Sequence, residues 1–273
     1  MQTDNRLESV FKNRKSDQKI MSLFITSGYP EIHKTVDLIL ELEASGADII
    51  ELGMPFSDPL ADGPTIQYAS KVALEQGVNL DVIFEQVEQL RKKSEIPVVL
   101  MGYINPVMRY GMESFFKKAS ASGVDGVILP DAPAGEYPEM ESMCDKYGVA
   151  PIYLVAPNTP DERMEVVDKA SKGFVYCVSV TGVTGARERN DMTDPVRVFL
   201  KRVRSRITKN PVLVGFGIRS HQDAMRISSE MDGFIVGSAL IDHIRQVYPS
   251  EDWISSAGRF VKSLKTGKTE ANR

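Results

Sequence analysis

Glu51 is a carboxylate in an expensive place. It sits inside a short apolar run, residues 47–52, where an ionised side chain is costly unless it is neutral or partnered. A buried Glu of this kind either pairs with a cation or a backbone amide, or moves protons. The segment that follows, Leu52-Gly53-Met54-Pro55-Phe56-Ser57-Asp58-Pro59-Leu60-Ala61-Asp62-Gly63-Pro64-Thr65, holds two more carboxylates. Asp58-Pro59 is ordinary turn chemistry, and so is Asp62-Gly63 when read alone. Asp62, however, can fold back over the mouth of the strand that ends near Glu51. Two carboxylates there would suit proton delivery and removal.

A second kind of site is written in glycines. Gly215-Phe216-Gly217-Ile218 and Val236-Gly237-Ser238 follow two late apolar runs, and Thr181-Gly182-Val183-Thr184-Gly185 follows another. Glycines let backbone N–H groups approach an anion, and Ser238 opens an expected helix whose dipole favours negative charge. Each turn alone is weak. At consecutive strand ends they point to a phosphate site.

Elimination narrows the chemistry. No lysine lies at the end of an apolar run, which argues against an iminium-forming lysine. His33, His221 and His243 are scattered and suit no metal site. Gly-x-Ser-x-Gly and Cys/His nucleophile patterns are missing. Acid–base work by carboxylates on a phosphorylated substrate remains, and such a substrate must bring its own electron sink.

These residues need a scaffold. Eight apolar runs recur: Ile20–Thr26 and residues 47–52, 97–101, 124–130, 150–155, 173–180, 211–215 and 232–236. They are rich in Val, Ile and Leu with little alternation, the pattern of strands covered on both faces. Helical periodicity fills the gaps, as over Thr35–Ala44 and residues 81–90. Eight right-handed βα units predict a (β/α)8 TIM barrel, a single α/β domain over residues 1–273. An extra N-terminal helix is expected within residues 1–15, near Arg6–Asn13. Residues 62–91 have room for an added helix after strand 2, and residues 266–273 read as a frayed tail. A doubly wound open sheet is the alternative, but no Gly-x-Gly-x-x-Gly fingerprint follows an early strand.

Composition sets the outer limits. With 33 Lys and Arg against 37 Asp and Glu, the net charge of −4 argues against nucleic acid or anionic membrane as partner. No apolar run is long enough for a membrane span, and the first residues lack a signal core. Two cysteines, Cys144 and Cys177, are too few for a disulfide framework and read as reduced thiols. A cytoplasmic location is expected.

The strand 2 segment, residues 51–67, closely resembles the signature of the tryptophan synthase alpha chain family. Gly28-Tyr29-Pro30, Tyr103-Ile104-Asn105-Pro106, Leu129-Pro130-Asp131 and the glycine segments above also match, so the resemblance spans nearly the whole chain. It implies a lyase that cleaves indole-3-glycerol phosphate to indole and glyceraldehyde 3-phosphate by a retro-aldol step. It further implies a beta-chain partner in an alpha2beta2 heterotetramer, which receives the indole and holds pyridoxal phosphate, and no cofactor in this chain.

Position by position, the resemblance makes Glu51 the acid and base and makes Asp62 the partner of the indole N–H. Tyr176 matches an active-site tyrosine or is core. Phe24, Leu100 and Phe216 line an indole pocket or pack the core. Gly185, Gly217, Gly237 and Ser238 match phosphate-binding positions. Thr184 matches a threonine that closes the loop of residues 181–191, a lid, onto the loop after strand 2, and Val180-Thr181 stands where some members have Arg before the Gly-Val-Thr-Gly segment. Phe56, Pro133 and residues 103–106 fall on the expected docking face. Two other functions compete: a silent regulatory subunit that binds an indole ligand, and a phosphate-sugar isomerase on the same barrel.

Overall fold

The apolar runs become strands because each can be buried on both faces, between a barrel interior and a ring of helices. The computed structural model describes residues 5–15, 18–178, 195–215 and 217–268. Its strands are β1 (Ile20–Thr26), β2 (Ile49–Gly53), β3 (Val98–Met101), β4 (Gly126–Ile128), β5 (Ala150–Ile152), β6 (Leu154–Val155), β7 (Val175–Val178), β8 (Val212–Gly215) and β9 (Gly233–Val236). All pairings are parallel, in the order β5-β4-β3-β2-β1-β9-β8-β7-β6. The two ends of that order are separated in the chain only by Tyr153, so the sheet curls into a nearly closed TIM barrel, as the sequence predicts.

The fifth run splits for a reason that no local pattern carries. Its first half pairs with β4 and its second half with β7, and Tyr153 is where the partner changes. The Tyr153 carbonyl accepts from Tyr176 N at 3.0 Å and continues the ladder across the switch.

Helices occupy Arg6–Asn13 and Thr35–Ala44, where periodicity places them. Residues 62–91 yield two helices, Pro64–Glu75 and Leu80–Arg91, the first being the added one. The last helix, Trp253–Thr266, includes Thr266, whose hydroxyl donates to the Lys262 carbonyl at 2.8 Å. The helix ends at Gly267, and residues 269–273 of the expected tail lie outside the described residues. No helix among the described residues is long and apolar enough to cross a membrane.

Inward-facing side chains alternate with outward ones along each strand. Ile20, Ile49, Val99, Ile128, Ile152, Phe174, Leu213 and Ile235 fill the lower barrel, and Leu7 of the first helix closes it from below. The fit is tight: a Cβ on Gly126 or Gly173 would approach Leu7 Cδ1 to 3.1 or 3.2 Å. Asn5 Oδ1 caps Leu7 N at 2.9 Å and its amide donates to the Asp125 carbonyl at 2.9 Å, while Arg6 pairs with the Asp125 carboxylate at 3.1 Å. Leu7→Ala should leave a cavity at this plug and lower the unfolding free energy by about 2–5 kcal/mol in urea titration. A loss below about 1 kcal/mol would mean that the first helix does not close the core.

Candidate active site

Above the apolar plug the interior turns polar. Glu51 shares the inward face of β2 with Ile49 and Gly53, lies opposite Phe24 in the ladder and is fully buried. Ser22 Oγ, two residues before Phe24 on β1, donates to Glu51 Oε1 at 2.7 Å. Oε2 is buried with no protein partner among the described residues. Burial pushes the carboxyl up to about 8, against the pull of the Ser22 hydrogen bond. One neutral donor cannot replace the water that an ionised carboxylate would lose, so Glu51 is held as the acid at neutral pH.

Asp62 arrives at the mouth from the loop after β2. Tyr103 clamps that loop: its hydroxyl accepts from Ala61 N at 2.9 Å, and its ring lies 5.6 Å from the Phe56 ring. Tyr103 is set in turn by Asp131, whose carboxylate accepts from Ile104 N at 3.0 Å at the start of helix Ile104–Tyr110. Burial raises the Asp62 carboxyl, while its hydrogen bond with the Tyr103 hydroxyl lowers it. Asp58 is exposed and its carboxylate is bound by adjacent Ser57 at 2.6 Å, so it serves the turn alone.

A pocket of about 320 Å³, its open mouth included, lies between these parts. Phe24, Met101, Tyr103, Ile66 and Pro130 give it apolar walls; Asp62, Thr26 and Ser70 give it polar points. Glu51 underlies the floor, one inward position below Gly53. The Phe24 ring needs that glycine, because a Cβ there would meet Phe24 Cζ at 2.7 Å.

Leu100 is not part of this wall. It pairs with Leu52 and Val127 on the outer face of β3, beneath the helices, and the inward position belongs to Met101. In a strand a shift of one residue reverses the face. Tyr176 is placed inside the barrel, and a Cβ on Gly215 would meet its hydroxyl at 2.8 Å. Burial raises its phenol well above the usual range, with the Glu51 and Asp62 carboxylates adding to the rise, so all three share one electrostatic neighbourhood.

Beyond Phe24, the ends of β8 and β9 form the other side of the mouth. Gly217 has φ +59°, a left-handed conformation open to glycine, and nothing crowds the place a Cβ would take. Gly237 caps helix Ser238–Val247 and its carbonyl accepts from Leu240 N at 2.9 Å, leaving the first N–H groups without helical partners. Thr184, Gly185 and Phe216, with residues 181–191, lie outside the described residues. Sequence reading missed Ser22, a lone hydroxyl in the apolar β1 run, and took Tyr103 for a docking feature rather than the clamp on the Asp62 loop. Among the described residues no group of His, Cys, Asp and Glu could hold a metal ion.

The raised Glu51 carboxyl has a consequence for stability. Unfolded, it ionises near 4.5; folded, near 8, so the native state holds one more proton between these values. Wild-type stability must fall as pH rises through that window. Glu51→Gln has no proton to lose and keeps the Ser22 bond, so it should gain on wild type by about 2–4 kcal/mol between about pH 5 and pH 9. Denaturant titrations at the two pH values check this; a constant difference would contradict the raised carboxyl.

A family model of the tryptophan synthase alpha chain matches residues 11–268. The alpha chain of Thermoanaerobacter sp. (strain X514) is 45% identical over 262 residues, covering 96% of this chain and 98% of that one. That of Christiangramia forsetii is 43% identical over 252 residues, covering 92% and 96%. The solved tryptophan synthase subunit alpha of Legionella pneumophila superposes with a TM-score of 0.88 at 36% identity, covering 96% of this chain and 98% of that one. A chain of the aminoacrylate-bound tryptophan synthase from M. tuberculosis gives 0.84 at 31% identity, covering 96% and 99%. Identity of this degree along nearly the whole length, on the same barrel, places the chain in the tryptophan synthase alpha chain family.

Proposed function

We propose that Glu51 and Asp62 carry out the reaction of the family. That reaction is the cleavage of indole-3-glycerol phosphate to indole and glyceraldehyde 3-phosphate, and the chain is accordingly a lyase. The observation that carries the assignment of roles is the buried, uncharged Glu51 carboxyl with one free oxygen. Glu51 gives its proton to indole C3. The ring nitrogen becomes an iminium N–H, whose positive charge faces the Asp62 carboxylate. Glu51, now ionised, takes the proton of the glycerol hydroxyl beside the scissile bond. The carbon–carbon bond breaks, its electron pair returns to the ring, and the hydroxyl carbon leaves as the aldehyde. The acid is restored at the end, so one residue serves both proton transfers.

The pocket walls support the rest of this reading. Phe24 and Met101 hold the indole plane, while Tyr176 sits beside both carboxylates. Gly217, Gly237 and Ser238 receive the phosphate at the start of helix Ser238–Val247. The alternative of a silent indole-binding subunit has no use for a carboxyl kept neutral beneath the pocket floor. An isomerase built on a lysine or a metal would find neither a lysine at the strand ends nor a metal ligand set among the described residues.

Glu51→Gln should lower indole release from indole-3-glycerol phosphate by at least about 10³-fold with substrate binding retained, and Asp62→Asn should lower it about 10²-fold. A variant that keeps a third of wild-type turnover would remove its residue from the mechanism.

Membership of the family implies a beta-chain partner. The finer reading is an alpha2beta2 assembly in the cytoplasm, with pyridoxal phosphate in the beta chain and none here; the buried free thiols of Cys144 and Cys177 suit a reducing compartment. The docking face in this reading is the barrel mouth around Phe56, Pro133 and residues 103–106. Leu60, 95% exposed beside Asp62, and Met108, 58% exposed on helix Ile104–Tyr110, extend its apolar surface. Leu60→Lys should weaken association with a beta chain by about tenfold or more in a titration, with the turnover of the isolated chain unchanged. Undiminished affinity would move the interface elsewhere.

A further inference from the structure

Asp62 runs directly into helix Pro64–Glu75, and that helix begins at Gly63 with no side-chain cap. Its first turn is held from outside. Thr65 Oγ1 donates to Asp242 Oδ1 at 2.9 Å. Asp242 lies on helix Ser238–Val247, four residues beyond Ser238. One turn further along, the Arg245 guanidinium sits 4.2 Å from the centroid of the Tyr68 ring. Thr65 and Tyr68 are three apart, as are Asp242 and Arg245, so one face of each helix carries both links.

The path from Thr65 back to Asp62 is short and stiff. Pro64 fixes its own φ. Gln67 Nε2 donates to the Asp62 carbonyl at 2.8 Å, and Asp62 N donates to the Pro59 carbonyl at 3.1 Å. We propose that Asp242 is a positioning residue: through Thr65 it ties the helix that receives the phosphate to the loop that places Asp62, so that the two ends of the substrate are held in one register. This rests on the functional reading above. A helix of ten residues moves as a rod, and the Asp242–Thr65 bond lets its position fix the first turn of the other helix. Without that bond Asp62 keeps its chemistry but loses its setting relative to the phosphate, and a misplacement of about 1 Å is enough to slow a positioned reaction substantially.

The test compares wild type with Asp242→Ala, Asp242→Asn, Thr65→Val and the double variant Thr65→Val/Asp242→Ala. Steady-state cleavage of indole-3-glycerol phosphate, glycerol phosphate affinity by calorimetry and the melting temperature are measured for each. Asp242→Ala and Thr65→Val should each lower kcat about tenfold, with KM and glycerol phosphate affinity within about threefold of wild type. Asp242→Asn keeps an acceptor oxygen for Thr65 and should restore most of kcat. The double variant should be no slower than the singles, because both remove one bond. Thr65→Val leaves the phosphate helix untouched, so a folding failure of Asp242→Ala would not end the test. Turnover of Asp242→Ala within twofold of wild type, no recovery with Asn, or a double variant whose loss is the product of the singles would overturn the proposal. Asp62→Asn run beside them separates the two claims: an active Asp62→Asn sinks the role of Asp62 itself, whereas an inactive one beside a fully active Asp242→Ala sinks only the tie.

Discussion

Everything at the mouth of this barrel depends on keeping one carboxyl uncharged. Glu51 is fully buried, with a single hydroxyl on one oxygen and, among the described residues, no protein partner on the other. A cation nearby would ionise it and a second donor would move it toward ionisation; among the described residues the barrel offers neither. The protein accepts a strained stability at high pH in return for an acid that is still protonated near neutrality. In the mechanism we propose, the substrate then completes the circuit, because protonation at C3 turns the indole into the electron sink that a lysine or a metal supplies elsewhere.

The scaffold is arranged around that carboxyl from both ends. Below it, buried apolar side chains and Leu7 close the lower barrel. Above it, Asp131 sets the start of one helix, that helix sets Tyr103, and Tyr103 holds the backbone next to Asp62. The order of these contacts explains how a carboxylate proposed to be catalytic can sit on a loop and still be aimed. Asp62 is placed by backbone and side-chain hydrogen bonds on either side of it, while its own carboxylate, bonded to the Tyr103 hydroxyl, lines the pocket.

Much of this was legible in the chain. Each of the eight apolar runs between amphipathic stretches holds a strand, the fifth holding two, because strands buried on both faces have few other signatures. The same feature hid the orientation: with no polar–apolar alternation in residues 97–101, nothing local distinguishes Leu100, which faces the helices, from Met101, which faces the pocket. Glu51 stands out because a carboxylate in such a run is anomalous, and Asp62 because its loop can fold back over the mouth of the strand that carries Glu51. Ser22 did not, since one hydroxyl among apolar residues is common and its meaning depends on a partner 29 positions away. The break at Tyr153 and the Thr65–Asp242 bond are likewise products of closure, made by segments that only the folded barrel brings together.

The most direct measurement is the titration of Glu51 itself. Carboxyl-stretch infrared spectra of the free protein, recorded across pH and differenced against Glu51→Gln, isolate this one group. A protonated carboxyl band that persists through neutrality and disappears near pH 8 is the expected result. A band lost near pH 4–5, the range of an ordinary glutamate, would mean that Glu51 enters the reaction already ionised, and its role as the acid toward indole C3 would fail.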